Sequence, residues 1–425
     1  MSLNSTPSSE RIHIGFFGRR NAGKSSLVNA VTGQDLAVVS DVPGTTTDPV
    51  KKAMELLPLG PVVIIDTPGL DDEGMLGELR IKKTEEILKG VHLAVVVVDG
   101  TVGIQTEDEA LILQLEERKL PYIIAMNKAD LQEKYENEKN SQKVSRSGQD
   151  KNASRIMQYA IEEKKISVST FTGYNINLLK EKLALLGKGQ QTDKRIVADL
   201  IEPGDAVVLV VPIDEAAPKG RLILPQQQTI RDILDVGAIS VVCKDTELDD
   251  TLKKLGVKPK LVITDSQVFG KVSAIVPDDI LLTSFSILFA RYKGNLDVLV
   301  SGAKALNKLQ NGDKILMAEG CTHHRQCGDI GSVKIPTLIR KTTGKELIFD
   351  LTSGGDFPEN LKNYALIIHC GGCTLTEQVM QERLRICGEA GVSVTNYGMA
   401  LAHMNGILER SMKPFEDMEE IKLKR

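Results

Sequence analysis

The sequence predicts an α/β protein in three parts: a parallel sheet covered by helices on both faces, then two smaller α/β domains. Between residues 11 and 187, strand-length apolar runs alternate with helical stretches. Strands that are apolar throughout are typical of parallel sheets buried on both faces. The alternation resumes twice after residue 195. The length of 425 residues also exceeds the size at which a single hydrophobic core stops growing.

The composition is that of a globular protein and gives no indication of a membrane-spanning or nucleic-acid-binding protein. Hydrophobic residues make up 41% of the chain and charged residues 26%, as is usual for globular proteins. The net charge of −4 gives no general electrostatic footprint for nucleic acid. The longest apolar runs, such as VHLAVVVV (91–98), are much shorter than a membrane span. We therefore expect neither a membrane nor nucleic acid as a partner.

The cysteine content bears on the compartment. The chain has six cysteines, and its polar N-terminus MSLNSTPSSE lacks the apolar region of a secretory signal. This combination predicts a reducing, cytoplasmic location. Clustered cysteines there favour metal or redox chemistry over disulfides.

The first predicted domain covers residues 9–187. The run RIHIGFFG is a predicted strand, followed by a Gly-rich turn and a helix that begins near Lys24. Four more runs are predicted strands that end in polar loops: VVIIDTPG, VHLAVVVVDG, PYIIAMNKAD and KKISVST. The run INLLKEKLALL is predicted to be the closing helix, and the polar residues 132–154 a surface excursion.

Two smaller domains are predicted after the linker GKGQQTDKR. The middle domain, 195–265, combines the runs DAVVLVVPID, AISVVCKD and KLVITDSQ with helices around 226–236 and 247–254. It is small for a domain, so its sheet is predicted to need an external surface, which dimerisation would provide. The third domain, 266–411, contains the runs ILLTSFSILFARY, DKILMAEG, KELIFDL, YALIIHC and VSVTNYGM.

The segment GRRNAGKSS has the Gly-x4-Gly-Lys-Ser spacing of a phosphate-binding loop between a strand and a helix. Backbone N–H groups and the helix N-terminus would cradle phosphate oxygens. Lys24 would reach the β- and γ-phosphates, and Ser25 would give its hydroxyl to Mg²⁺. The residues predicted to bind nucleotide here are Gly18, Asn21, Ala22, Gly23, Lys24, Ser25 and Ser26.

Two motifs follow that are typical of nucleotide hydrolysis. The segment DVPGTTTD supplies Thr46 as a predicted second Mg²⁺ ligand, with Thr45 and Thr47 as alternatives. The segment DTPG places Asp66 near the metal and the Gly69 N–H near the γ-phosphate. Together with Lys24, these residues are the predicted catalytic set.

The segment NKAD selects the base. Asp130 can accept two hydrogen bonds from the guanine N1–H and 2-amino groups, which adenine cannot supply. Asn127 and Lys128 would support the pocket, and Ser169 and Thr170 are also assigned to it. The sequence therefore predicts a site for GTP or GDP.

A second constellation is rich in sulfur and imidazole. Cys321 and His323 lie in one loop, and His369, Cys370 and Cys373 lie in another, in the order Cys-x-His … His-Cys-x-x-Cys. These donors suit zinc or an iron–sulfur cluster, and the residues alone leave both open. Two glycines between the last two cysteines let both sulfurs face one centre. Three other cysteines and two other histidines are predicted not to be ligands: Cys243, Cys327, Cys387, His324 and His403.

The segments NAGKSSLVNAVTGQ and VPGTTTD resemble the translation-factor-like GTPases, the branch that holds the Era and tRNA-modification GTPases. The resemblance implies a K⁺ ion held with the help of Asn21, which would stabilise charge on the transferred phosphoryl group. Leu70 occupies the position of the water-orienting Gln of small signalling GTPases, so slow, potassium-stimulated hydrolysis is expected. Relatives usually carry Arg where this chain has Thr47.

With its middle domain and its Cys-x-His … His-Cys-x-x-Cys unit, the chain past residue 10 resembles the HydF family of [FeFe]-hydrogenase maturation GTPases. The resemblance implies a homodimer through the middle domain. It implies a [4Fe–4S] cluster on Cys321, Cys370 and Cys373 with an exchangeable fourth ligand. It also implies a scaffold that receives a transient di-iron precursor from the radical-SAM maturases HydE and HydG and delivers it to apo-[FeFe]-hydrogenase. Candidates for the fourth ligand are His323, Asp199 and Asp205.

Two other functions are consistent with parts of the sequence. One is an RNA- or ribosome-associated Era-like GTPase with a structural zinc module. The acidic net charge and the lack of a C-terminal basic or Gly-x-x-Gly element speak against it. The other is a redox enzyme that works directly at the C-terminal site, but no flavin or nicotinamide fingerprint supports it.

Overall fold

The computed structural model divides the chain into two compact units, Met1–Thr192 and Asp193–Arg425. The residues that the structure describes are 6–33, 50–67, 83–131, 163–189, 194–213, 222–320, 329–354, 357–358 and 360–423. The predicted surface excursion at 132–154 lies outside them. No helix in the described part of the chain is long and apolar enough to cross a membrane.

The first unit is built on a six-stranded sheet with the strand order β2-β3-β1-β4-β5-β6. The strands are β1 (Ile12–Phe17), β2 (Val50–Leu56), β3 (Gly60–Asp66), β4 (Leu93–Asp99), β5 (Tyr122–Asn127) and β6 (Lys165–Ser167). The five predicted strands are all present and parallel. The edge strand β2 pairs antiparallel with β3 and was not predicted. Its sequence VKKAMEL is largely exposed, so it lacks the apolar run that marks the others.

Helices cover both faces of this sheet. Those described are α1 (Lys24–Thr32), α2 (Thr106–Glu117) and α3 (Ile176–Lys188), and residues 83–88 are also helical. Val95 of β4 packs in one core cluster with Leu27 of α1 and Leu183 of α3. The next residue, Val96, packs in a second cluster with Leu111 of α2. Because successive side chains of a strand point to opposite faces, the predicted double-covered sheet is confirmed.

The second unit contains two parallel four-stranded sheets, with orders β10-β9-β7-β8 and β12-β11-β13-β14. The strands are β7 (Ala206–Val210), β8 (Ile239–Cys243), β9 (Leu261–Thr264), β10 (Leu281–Ser284), β11 (Lys314–Ala318), β12 (Ile348–Thr352), β13 (Leu366–His369) and β14 (Ser393–Asn396). The helices are α4 (Leu224–Asp235), α5 (Leu248–Lys254), α6 (Phe269–Ile275), α7 (Phe285–Lys293), α8 (Leu296–Lys304), α9 (Ile335–Thr343), α10 (Glu377–Ala390), α11 (Tyr397–Met404) and α12 (Leu408–Leu423). Helices α4 and α5 lie where the sequence predicted them.

The predicted boundary between the two C-terminal domains, at 265/266, does not coincide with the edge of the middle sheet. Strand β10 follows the predicted boundary at 265/266, yet it pairs with β9 and completes the middle sheet. A division at that point would therefore separate two strands that share backbone hydrogen bonds. One core cluster extends from Val207 in β7 to Val394 in β14, so both sheets belong to a single compact unit.

Candidate nucleotide and metal sites

The phosphate-binding loop connects β1 to α1, and two of its glycines are required by geometry. Gly18 has φ +146°, and a Cβ there would lie 2.2 Å from the Val97 carbonyl oxygen. Gly23 has φ +88°, and its Cβ would lie 2.3 Å from Asn127 Nδ2. Both positions exclude a side chain because the loop passes directly against neighbouring strands. Between them, Ala22 is buried and Asn21 is exposed with φ +60°.

Lys24 is buried at the first position of α1 and folds back into this loop. Its Nζ donates to the carbonyl oxygens of Gly18 (2.9 Å) and Arg19 (2.8 Å). The ammonium therefore lies inside the loop, where the spacing of the motif would place it against the phosphates of a nucleotide.

Ser25 and Asp66 meet at the end of β3. Ser25 Oγ donates to Asp66 Oδ2 at 2.7 Å. Asp66 Oδ1 is buried and has no hydrogen-bond partner among the described residues. Burial raises the pKa of this carboxyl group, against the opposing effects of Ser25 and Lys24. A hydroxyl beside a buried carboxylate oxygen with free coordination capacity fits Mg²⁺, which prefers oxygen ligands. Thr46 and Gly69 lie outside the described residues.

The predicted base pocket is assembled from the ends of β5 and β6. The buried Asn127 donates from Nδ2 to the Ala22 carbonyl oxygen (3.1 Å) and accepts from the Thr170 N–H at Oδ1 (3.3 Å). Ser169 Oγ donates to Asp130 Oδ1 at 2.5 Å, which fixes the carboxylate that would read guanine. The side chain of Asn127 thereby connects the phosphate loop to the base pocket.

Two acidic residues support this site and were missed by sequence reasoning. Asp99 ends β4, and its Oδ2 lies 2.5 Å from Lys128 Nζ. Burial raises the pKa of Asp99, but Lys128 and Thr101 outweigh it, so the pKa lies below its usual value. Asp108 is fully buried in the first turn of α2 and pairs with Arg19 of the phosphate loop at 3.2 Å. Asp99 could have been found from the sequence, because it ends the apolar run VVVVD just as Asp66 ends the run VVIID.

The C-terminal site lies where β11 and β13, which are neighbours in the sheet, both end. Cys370 Sγ accepts hydrogen bonds from the N–H groups of Gly320 (3.0 Å) and Gly372 (3.4 Å). Gly372 has φ +62°, which lets the loop curl around the sulfur. Cys370 and Cys373 are both partly exposed. N–H donors aimed at the Cys370 sulfur favour its thiolate, so this residue fits a thiolate-bound metal centre. Burial raises the pKa of the Cys373 thiol, although the charge of Lys293 opposes this effect.

The other predicted donors of this site are only partly visible. Cys321 and His323 lie outside the described residues. Gly320, which directly precedes Cys321, donates its N–H to the Cys370 sulfur. Within the described ranges, no group of three or more His, Cys, Asp or Glu could hold a metal ion. Cys243 and Cys387 are buried in the core, as predicted.

His369 is placed differently from a metal ligand. It is buried, its Nδ1 lies 2.9 Å from the Cys370 carbonyl oxygen, and its Nε2 lies 2.7 Å from Arg383 Nη1. Because a guanidinium only donates, Nε2 accepts and the Nδ1–H donates to the carbonyl. Burial and Arg383 lower the pKa of His369 to about 3, so the ring is neutral. Both nitrogens are engaged within the protein, which is at odds with the predicted ligand role.

The two carboxylates considered as a fourth ligand are also engaged. Asp199 forms an ion pair with Arg291, with Oδ1 and Nη2 2.6 Å apart. Asp205 accepts a hydrogen bond from the Glu202 N–H at 2.8 Å. Neither residue shares a contact with the Cys370–Cys373 loop among the described interactions.

Three family models match this chain. Residues 13–128 match the 50S ribosome-binding GTPase family. Residues 196–294 match the hydrogen maturase F dimerization domain, and residues 297–414 match its tetramerization domain. The dimerization-domain match extends past the predicted boundary at residue 265 and includes β10.

Two curated relatives are GTPases by name. The tRNA modification GTPase MnmE of Heliobacterium modesticaldum is 40% identical over 115 residues, 27% of this chain and 24% of that protein. The GTPase Era of Caldicellulosiruptor saccharolyticus is 30% identical over 270 residues, 58% of this chain and 84% of that protein. This chain therefore spans about a quarter of the length of the MnmE relative. Among solved structures, Era of Aquifex aeolicus is 16% identical, with 57% of this chain and 98% of that chain covered and a TM-score of 0.33.

Proposed function

This chain belongs to the HydF family of hydrogenase maturation GTPases, and on that premise we propose that it is a GTP-regulated metallocluster scaffold. It would bind a [4Fe–4S] cluster, accept a di-iron precursor from HydE and HydG, and deliver it to apo-[FeFe]-hydrogenase. The observation that carries the proposal is the convergence of the Gly320 and Cys370 loops at the ends of β11 and β13. The sequence places all three candidate thiolates in these two loops.

The proposed cluster ligands are Cys321, Cys370 and Cys373, with a fourth position that stays exchangeable. When bound, the cluster would supply an iron with a replaceable ligand, to which a precursor can be attached. The N–H groups of Gly320 and Gly372 would hold the Cys370 sulfur and its charge in place. Because His369 uses both ring nitrogens elsewhere, His323 is the remaining histidine candidate in the motif.

The GTPase unit would act as the regulatory switch. Lys24 would hold the phosphates, Ser25 and Asp66 the Mg²⁺ ion, and Asp130 the guanine base. We propose slow hydrolysis stimulated by K⁺. The exposed Asn21 in the phosphate loop is the candidate K⁺ ligand, and Leu70 cannot orient water. GTP binding and hydrolysis would change the affinity for partner proteins.

We also propose that the middle sheet forms the homodimer, and that the protein works in the cytoplasm, where thiols stay reduced. Helix α12 packs on the edge strand β10. The opposite edge strand, β8, exposes 53% of Ile239 and 46% of Val242. An edge strand with exposed apolar residues pairs readily with another chain, so β8 is the candidate dimer contact.

The test is anaerobic reconstitution with iron and sulfide, followed by EPR of the reduced protein. Cys370→Ala should lose the [4Fe–4S] signal and keep GTP hydrolysis, whereas Lys24→Ala should lose hydrolysis and keep the signal. A wild-type protein that binds stoichiometric zinc and shows no cluster signal would contradict the proposal. That result would favour the RNA-associated GTPase with a structural zinc module.

A further inference from the structure

A buried guanidinium lies beside the cysteine loop, and the function proposed above does not use it. Arg383 of α10 is only 5% exposed. Its Nη1 donates to His369 Nε2 (2.7 Å), its Nη2 donates to the Gly354 carbonyl oxygen (2.7 Å), and it stacks 4.9 Å from the Phe357 ring centroid. Across the residues that the structure describes, no carboxylate forms an ion pair with it.

A buried positive charge whose contacts among the described residues are all neutral is unusual, because buried charges are normally paired. Two sulfurs, Cys370 and Cys387, act electrostatically on Arg383 and oppose the lowering of its pKa by burial. Burial raises the pKa of Cys387 to about 12, so that thiol stays neutral near pH 7. Cys387 is buried in the core, whereas the Cys370 sulfur accepts hydrogen bonds from two backbone N–H groups, so Cys370 is the sulfur placed to carry negative charge.

The contact chain from Arg383 to this sulfur passes through His369. Arg383 fixes the imidazole through Nε2, and the imidazole donates to the Cys370 carbonyl oxygen. Because Nε2 accepts a hydrogen bond from the guanidinium, it carries no proton, and the imidazole adds no charge of its own. The ring therefore helps to fix the position of the loop and leaves the positive charge of Arg383 without compensation. Arg383 thus contributes both to the position of Cys370 and to the electrostatic potential around it.

A second buried cation holds the other end of the same loop. Lys293 of α7 is 2% exposed, and its Nζ donates to the carbonyl oxygens of Cys373 (3.2 Å) and Leu375 (2.9 Å). Buried cations therefore hold the loop from Cys370 to Leu375 at both ends, Arg383 through His369 and Lys293 directly. Such surroundings favour an anionic occupant, and three thiolates on a metal centre make it anionic.

We infer that Arg383 is a positioning residue that supplies the counter-charge of an anionic thiolate-bound cluster at the Cys370–Cys373 loop, acting through His369. The inference rests on the proposed function and adds a requirement for positive charge at a residue that does not touch the metal. Reduction adds an electron to a centre that is already negative, so the nearby guanidinium stabilises the reduced form more than the oxidised form.

The experiment compares the reconstituted full-length wild type with Arg383→Gln, Arg383→Lys and Arg385→Gln. Arg385 is the matched control, because it lies on the same helix but is exposed and pairs with Glu382 and Glu389. Iron and sulfide per chain are measured first, and the cluster is then titrated potentiometrically by EPR. GTP hydrolysis and circular dichroism report folding of each variant.

We expect Arg383→Gln to lower the ratio of reduced to oxidised cluster at least tenfold at a fixed potential, a shift of 59 mV for one electron. Arg383→Lys and Arg385→Gln should remain close to wild type. Loss of iron in the Gln variant with retention in the Lys variant would also support the inference, since the charge would then be needed to hold the cluster.

Two results would overturn it. One is a Gln variant with a full cluster and the wild-type midpoint potential. The other is loss of iron in both the Gln and Lys variants, because the shape of the guanidinium and not its charge would then be essential. If the wild type itself binds no iron–sulfur cluster, the proposed function fails before any variant is compared, and this inference fails with it.

Discussion

Gly23→Ala is the sharpest test of the nucleotide site. The residue has φ +88°, and a new Cβ would lie 2.3 Å from Asn127 Nδ2. An alanine in this left-handed conformation costs about 1–2 kcal/mol. The displaced Asn127 would lose its bond to the Ala22 carbonyl oxygen, worth about 1 kcal/mol. The loop without nucleotide can relax to avoid both costs, and GTP binding would have to restore the original geometry. The sum of about 2–3 kcal/mol then corresponds to GTP binding weakened by about 30- to 150-fold.

The matched control is Gly33→Ala at the other end of α1. Gly33 also has a positive φ, +65°, but a Cβ there meets nothing within 4 Å. It should lower the free energy of unfolding by about 1–2 kcal/mol and leave GTP affinity unchanged. Affinity is measured by titration with a fluorescent GTP analogue, and stability by urea unfolding. Wild-type affinity in Gly23→Ala would refute the argument that the loop needs a glycine against Asn127.

Three further outcomes are expected. Asp66→Asn should weaken GTP binding in the presence of Mg²⁺ much more than in EDTA, because it removes the buried carboxylate proposed to hold the ion; equal losses in both buffers would contradict that role. Val242→Lys on β8 should convert the proposed dimer to monomer in light scattering without loss of circular dichroism, and a stable dimer would exclude β8 as the contact. Burial and the neighbouring His13 lower the pKa of His92 to about 4 in the folded protein, from about 6.5 when unfolded. The unfolded state then binds more protons between these values, so stability should fall as pH drops from 6.5 toward 4, by at most about 3 kcal/mol. His92→Asn keeps an acceptor for the His13 N–H and should flatten this slope in urea unfolding; an unchanged slope would assign it to other groups.

The features of this protein that could be predicted from the sequence are those contained in one short stretch of residues. Strands β1, β3, β4 and β5 are short, nearly continuous apolar runs that end in polar loops, so their identity follows from their length and flanking residues. The phosphate loop was equally clear, because close approach of the backbone to phosphate requires glycine, and the spacing of Gly18, Gly23 and Lys24 records that requirement. The same holds for the cysteine motif, whose pattern is visible without any knowledge of packing.

Other features depend on which distant segments pack together, and no short stretch records that. Strand β2 is a charged, exposed segment that becomes a strand only because β3 offers an edge. Strand β10 joins the middle sheet because its partner β9 lies beside it, although the sequence between them resembles a domain boundary.

The surroundings of the motif histidine, His369, also depend on long-range packing. In the sequence, His369 is followed by two cysteines, a pattern typical of a metal ligand. Only the fold brings Arg383 of α10 within hydrogen-bond distance of the Nε2 atom of His369. Lys293 is likewise far from Cys373 along the chain and reaches it through the packing of α7. Ligand types are set by side-chain chemistry and are readable from the sequence. Their charges, orientations and hydrogen-bond partners arise from burial and long-range contacts, which the tertiary structure alone decides.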